Sequence, residues 1–141
     1  MPQHSVSVAG VVVRDDGRVL AIRRADNGTW EPPGGVLELS ETLEDGVRRE
    51  VYEETGVKVS VERLTGVYKN MTRGIVALVF RCRPEEGEAQ PSAEATAVRW
   101  LSREQIAERM SEVYAVRVLD ALVGSGTVPS IRNHDGRTLL G

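Results

Sequence analysis

The stretch "GGVLELSETLEDGVRREVYEETGV", residues 34–57, contains seven of the 21 acidic residues in this 141-residue chain. If its second half is helical, Glu50, Glu53 and Glu54 lie within an arc of about 100°, where like charges repel. The plain explanation is a solvated acidic face, relieved in part by Arg49, four residues before Glu53. The sequence just upstream favours a second explanation, which is a bound cation.

The apolar periodicity of this stretch predicts a helix over residues 41–55. Its apolar positions recur every four residues, at Leu43, Val47 and Val51. Gly56 suits the C-terminal end, because glycine adopts the left-handed conformation that closes many helices. Gly46 is expected to weaken the middle of this helix.

The segment "EPPGG", residues 31–35, is predicted to be a rigid loop, because each proline fixes φ and removes a backbone donor. Its glycines allow the backbone to approach a ligand closely. Hard divalent cations such as Mg²⁺ prefer clustered carboxylate oxygens. A cation held beside this loop would therefore resolve the repulsion among the three glutamates.

The spacing of this stretch is that of a known motif: Gly35, five residues, Glu41, seven residues, and then "REVYEETGV", residues 49–57. It resembles the Nudix box in every specified position. The resemblance extends to "RRA" before the box, to "PGG" leading into it, and to Glu94, six residues before Trp100. The resemblance covers roughly residues 5–122, and over this range the chain is similar to MutT-like Nudix hydrolases.

This resemblance implies an α/β protein with a Nudix fold, in which a mixed β-sheet is sandwiched between helices. It implies hydrolysis of a nucleoside diphosphate linked to another group, with a (d)NTP among the alternatives. The implied cofactor is Mg²⁺, for which Mn²⁺ could substitute. The implied metal ligands are Glu50, Glu53, Glu54, Glu94 and the carbonyl oxygen of Gly34.

The resemblance also implies catalytic roles. Glu50 matches the residue that acts as general base in MutT-like members, and Glu94 is the alternative base. Arg49 is expected to orient Glu53, and Glu41 is expected to be a structural brace.

Candidate substrate-binding residues lie outside the helix. Arg24, or Arg23 if the strand register shifts by one residue, could hold phosphates, and only one of them can face the site. Gly35 would let the backbone approach the substrate. Trp30 could stack on a base or pack its own loop, whereas Trp100 is expected in the core. Tyr68 could line the pocket or fill it.

The rest of the chain predicts further strands over residues 5–13, 18–24, 57–69, 74–83 and 96–101, with two helices that begin at Ser102 and Ser111. We expect a single domain over residues 1–141. The segment 123–141 is predicted to be a mobile tail, in which His134 and Asp135 either cap the site or are simply solvated.

Composition restricts the function classes. A net charge of −3 gives no basic surface for duplex nucleic acid, so the expected partner is a small nucleotide derivative. No basic leader or long apolar run is apparent, which predicts a cytoplasmic protein without a membrane contact. The single Cys82 is expected to be a buried structural thiol. A homodimer is left open.

Two other functions compete with the enzyme. A nucleotide-binding sensor could keep the fold without turnover, although such a protein would be expected to lose one of the three box glutamates. An acidic interaction domain without a ligand would leave the box spacing and the "EPPGG" segment unexplained.

Overall fold

The computed structural model describes residues 2–124 and 128–141. Its elements are β1 (Ser5–Val12), β2 (Val19–Arg24), β3 (Trp30–Glu31), β4 (Gly34–Val36), α1 (Leu43–Thr55), β5 (Lys58–Asn70), β6 (Ile75–Glu86), β7 (Ala95–Leu101), α2 (Arg103–Arg109), α3 (Glu112–Ala121), β8 (Ser130–His134) and β9 (Leu139–Leu140). Within the described ranges, no helix is long and apolar enough to cross a membrane.

The strands form two sheets, one of six strands in the order β4-β1-β6-β5-β8-β9 and one of three in the order β3-β2-β7. The larger sheet is mixed, because β1 pairs with β6 in parallel and β5 pairs with β8 in parallel, whereas its other pairs are antiparallel. The α/β class predicted from the sequence, a mixed sheet between helices, is confirmed.

Side chains of β1 alternate between the two faces of the larger sheet, as the pleat requires. The face toward α1 buries Val8, Val12, Val47 and Val51. The opposite face, toward α3, buries Ala9, Val11, Ala115 and Val118. The run "VVV" at the end of β1 is apolar at every position because both faces of this strand are covered.

Helix α1 begins at Leu43, two residues later than the sequence predicted. Thr42 caps it, and the Thr42 hydroxyl accepts a hydrogen bond of 3.1 Å from the Asp45 amide. Its end is as predicted, since Gly56 adopts φ 77° and donates its amide hydrogen to the Tyr52 carbonyl. Helix α2 also has the predicted capping box, formed by Ser102 and Gln105.

Gly46 has a packing role in the middle of α1. A Cβ atom at this position would lie 2.6 Å from Leu37 Cδ1 and 3.1 Å from Glu41 Oε1. The glycine that lowers helix propensity therefore lets α1 lie directly against the segment that leads into it.

The prediction of a loop over "EPPGG" is wrong at both ends of the segment. Glu31 belongs to β3 and pairs with Ile22, while Gly34 belongs to β4 and pairs with Ala9. The two prolines lie between these strands, where the chain passes from the smaller sheet to the larger one and no ladder donor is required.

The prediction of a mobile tail is wrong for residues 130–134 and 139–140. Strand β8 pairs in parallel with residues 66–70 of β5, and β9 pairs with β8. Residues 125–127 of this predicted tail lie outside the described residues. Periodicity gave no sign of β8, because "SIRNH" has one strongly apolar residue, Ile131, and that side chain is exposed.

Candidate active site

A cleft of about 1140 Å³ crosses the α3 face of the larger sheet. The floor of the cleft is recessed because the strands that form it carry small side chains there, Ser7, Ala9 and Ala77. At one end lie the glycines of β4 with Glu50 and Glu54 of α1, and at the other end lies His134 of β8. The cleft therefore runs from β4 to β8 across the strands between them.

Arg49 joins the acidic residues of α1 to the segment before it. Its guanidinium donates to Glu41 at 2.9 and 2.6 Å, to Glu50 Oε1 at 2.7 Å and to Glu53 Oε2 at 3.3 Å. The hydrogen bonds from Arg49 lower the pKa of Glu41 to about 2. Glu41 is thus an ionised brace, as predicted, and Arg49 contacts Glu50 more closely than it contacts Glu53.

Two carboxylates of α1 are buried beside the cleft. Glu54 is 5% exposed and Glu50 is 8% exposed. Burial raises the pKa of Glu54 to about 8, although its Oε1 accepts a hydrogen bond of 2.7 Å from the Gly34 amide, and the charges of Glu50 and Glu94 raise it further. Burial also raises the pKa of Glu50, against the opposing effect of Arg49. This pair is electrostatically costly without added positive charge.

The glycines of β4 allow the carboxylates to approach the backbone. A Cβ atom on Gly35 would lie 2.6 Å from Glu50 Oε2, and one on Gly34 would lie 2.4 Å from the Val8 carbonyl oxygen. Neither position has room for a side chain. The glycine pair of the box thus keeps Glu50 and Glu54 close to the strand that they face.

The other two acidic candidates are more exposed. Glu53 has 59% of its side chain exposed and does not line the cleft, although one nitrogen of Arg49, Nη1, bonds to both Glu50 and Glu53. Glu94 lies in the cleft, on the segment before β7, and its carbonyl oxygen accepts a hydrogen bond from the Ala25 amide.

The donor set fits a hard divalent cation, because the charges of Glu50 and Glu94 raise the pKa of Glu54 and all three carboxylates line one cleft. In the described part of the chain, no three histidine, cysteine or acidic side chains are already arranged to hold an ion. Glu50 Oε1 is bonded to Arg49 and Glu54 Oε1 to the Gly34 amide. Each carboxylate has a second oxygen, and an oxygen that accepts one hydrogen bond keeps another lone pair, so these bonds are compatible with metal binding.

The structure separates the two arginine candidates. Arg24 lines the cleft, where it bonds to Asp26 at 2.9 and 2.6 Å and to the buried Glu31 at 3.3 Å. Arg23 is exposed outside the cleft, and its Nε donates to the Gly28 carbonyl. The register therefore favours Arg24 as the residue that faces a substrate.

The aromatic candidates are mostly structural. Trp30 packs against the core on the α3 side and lies under the Arg109 guanidinium, 5.7 Å from the ring centre, rather than in the cleft lining. Trp100 packs against the α1-side core, as expected. Tyr68 is fully buried and donates to Asp120 Oδ2 at 2.7 Å. Cys82 is buried, and burial raises the pKa of its thiol to about 12.

Several residues of the cleft were not predicted from the sequence. Tyr114 and Arg117 of α3 line its far end, and Glu31 of β3, which acts electrostatically on both Arg117 and Glu54, also lines the cleft. The spacing of Tyr114 and Arg117, three residues apart on a helix, was the signal available for placing them on one face. His134, for which a solvated position was one alternative, is 3% exposed and lines the same end.

A sequence model of the NUDIX domain matches residues 3–122. A MutT-like protein from Streptomyces ambofaciens is 68% identical over 139 residues, which cover 99% of this chain and 89% of the relative. An ADP-ribose pyrophosphatase from Methanocaldococcus jannaschii is 37% identical over 83 residues, which cover 54% of this chain and 48% of that enzyme.

Solved structures agree in fold. A NUDIX hydrolase from Nitrosomonas europaea superimposes with a TM-score of 0.82 at 24% identity, covering 95% of this chain and 81% of the other. An ADP-ribose pyrophosphatase from Streptococcus suis superimposes with a TM-score of 0.75 at 21% identity, covering 90% of this chain and 98% of the other. At these identities the likeness shows a shared fold.

Proposed function

We propose a substrate class and a chemical mechanism for this chain, which belongs to the Nudix hydrolase family and has the Nudix fold. It is a hydrolase that cleaves a phosphoanhydride bond in a nucleoside diphosphate linked to another group, and (d)NTPs are one subset of that class. The names of its relatives, a MutT-like protein and an ADP-ribose pyrophosphatase, support small nucleotide derivatives as the substrates.

The observation that carries this proposal is the pair of buried carboxylates, Glu50 and Glu54, at the glycine end of the cleft. Burial and the charges of neighbouring carboxylates make their ionised forms unfavourable until positive charge is supplied. We assign Mg²⁺ or Mn²⁺ to this end, held by Glu50, Glu54, Glu94 and the Gly34 carbonyl oxygen, with Glu53 as a further ligand. When bound, the cation neutralises phosphate oxygens and lowers the pKa of water.

The chain's own residues then perform the remaining steps. Glu50 is the proposed general base, because Arg49 holds its Oε1 and so fixes the direction of its Oε2. Glu94 is the alternative base, since it faces the same cleft from a different segment. Arg24 is proposed to hold the phosphates of the substrate, and the backbone at Gly35 lets the diphosphate lie close to β4.

The test is a hydrolysis screen with Mg²⁺ or Mn²⁺ over nucleoside triphosphates, ADP-ribose and nucleotide sugars. Released phosphate, pyrophosphate and nucleoside monophosphate are quantified, and EDTA serves as the control. We expect metal-dependent cleavage of at least one class. Nucleotide binding without turnover throughout the panel would support the sensor instead.

A further inference from the structure

The far end of the cleft holds two hydrogen-bond donors that face each other. His134 Nδ1 accepts a hydrogen bond of 3.0 Å from the Gly136 amide. A neutral imidazole has one acceptor nitrogen, so Nε2 of His134 must carry the ring hydrogen. Arg117 Nη2 lies 3.4 Å from that Nε2, and a guanidinium has only donors. The two groups therefore cannot hydrogen-bond to each other.

The guanidinium of Arg117 is fixed in this position. It lies over the rings of Tyr68 and Tyr114, 5.2 and 5.0 Å from their centres. Its Nε is buried without a hydrogen-bond partner among residues 2–124 and 128–141. Arg117 Nε thus lacks an acceptor among these residues, and Arg117 Nη2 and His134 Nε2 are two donors in contact, an arrangement that normally has a partner in a folded protein.

The local charge favours an anion as that partner. Arg73 and Arg137 line the same end of the cleft. The nearby carboxylate of Asp135 is already engaged, because Oδ1 accepts from the amides of residues 137 and 138 at 2.8 Å each. Glu31 acts on Arg117 electrostatically but is shared with Arg24, which bonds to it at 3.3 Å.

The strand that carries His134 is well separated from the strand that the buried carboxylates face. Four strand spacings lie between β8 and β4 in the sheet order, about 19 Å at about 4.8 Å per spacing. Glu31, which acts electrostatically on both Arg117 and Glu54, lies between the two ends. One substrate group cannot contact both ends, whereas an extended molecule with a diphosphate in its middle can.

We propose that Arg117 and His134 form an anion-binding subsite for a phosphate or carboxylate group carried by the substrate, remote from the anhydride that is cleaved. The identification of the carrier as the substrate rests on the proposed function, but the subsite itself does not. It narrows the substrate class to nucleoside diphosphate derivatives that have a second anionic group at one end. A neutral base carbonyl is disfavoured, because it would leave the guanidinium charge uncompensated.

The subsite can be tested on the metal-free protein with inorganic phosphate and, separately, acetate as the probes. Nitrogen-15 NMR of the histidine rings should show His134 as the Nε2–H tautomer. Addition of phosphate or of acetate should shift that resonance, and the anion that does so is the one the subsite binds. We expect Arg117→Gln to weaken binding of that anion at least tenfold. Arg83→Gln, which removes an exposed charge outside the cleft, should bind as the wild type does.

The proposal is overturned if His134 carries its hydrogen on Nδ1, or if neither anion shifts its resonance. It is also overturned if Arg117→Gln binds the anion unchanged. The tautomer is read from the wild type, so it decides the matter even if the variant fails to fold. Anion binding without hydrolysis of any nucleotide would sink the proposed function and leave the subsite standing, whereas hydrolysis with unchanged binding in Arg117→Gln would do the reverse.

Discussion

The two ends of the cleft handle charge in opposite ways. At the α1 end, Arg49 donates hydrogen bonds to three carboxylates, Glu41, Glu50 and Glu53. The buried Glu54 accepts a hydrogen bond from a backbone amide. At the β8 end, Arg117 and His134 direct donors at each other. The acidic end is short of positive charge and the other end is short of an acceptor. A metal-bound polyanion would satisfy both ends.

The largest effect is expected from Glu54→Gln. The amide keeps the size of the side chain but holds a hard dication poorly, so kcat should fall by about 10²-fold or more while the metal-free protein stays folded. Steady-state hydrolysis and thermal melting of the same preparation measure both quantities. Arg48→Gln, on the exposed side of α1, is the matched control. A variant that keeps half the wild-type rate would contradict the assignment of Glu54.

Gly35→Ala should have the second-largest effect on activity. The added Cβ would meet the Glu50 carboxylate at 2.6 Å, so Glu50 must move and both activity and metal affinity should fall about tenfold or more. Isothermal titration with Mn²⁺ and an activity assay test this. Leu39→Ala, which truncates a fully exposed side chain a few residues further along, is the control and should behave as the wild type does. Equal behaviour of the two variants would rule out the close approach.

The metal-free protein should lose stability as the pH rises between about 4.5 and 8. Burial raises the pKa of Glu54 to about 8, so in this range the folded state keeps a proton that the unfolded chain has released. The free energy of unfolding should therefore decrease with pH, by a few kcal/mol at most. Urea denaturation in EDTA at several pH values measures the slope, and Glu54→Gln should flatten it. An identical slope in the variant would refute this origin.

Tyr68→Phe should have the smallest effect. It removes the buried hydrogen bond to Asp120, which keeps its two bonds to Arg132 at 2.8 Å, so the free energy of unfolding should fall by about 1–2 kcal/mol. The ring under Arg117 remains, and hydrolysis should change less than twofold. Chemical denaturation provides the measurement, with Tyr52→Phe on the exposed surface as the control. A large loss of activity would link this ring to the substrate directly.

The α1 end was predictable because its residues are close together in the chain. Helix periodicity and the box spacing placed Glu50 and Glu54 on one helix, and the glycines needed by that helix are only some twenty residues upstream. The sequence could not show that Glu53 lies outside the cleft lining. The direction of a helical side chain depends on its rotamer as well as on its position along the helix.

The β8 end was not predictable in the same way. Tyr68, Arg117 and His134 come from three elements, and the parallel pairing of β8 with β5 brings them together. No local pattern in "SIRNH" indicates that pairing, and turn-forming residues around it suggested mobility. Contacts between distant segments depend on the packing of the whole fold, which a single sequence states only indirectly.

The pairing of β8 also matters for how far the chain can be shortened. The family match ends at residue 122, which invites a truncation there. Such a chain would expose the backbone donors and acceptors of residues 66–70 along a newly opened strand edge, a surface on which other chains can add strands. A shortened protein would be expected to self-associate, and its aggregation would reflect the missing neighbour of β5 rather than a damaged catalytic end.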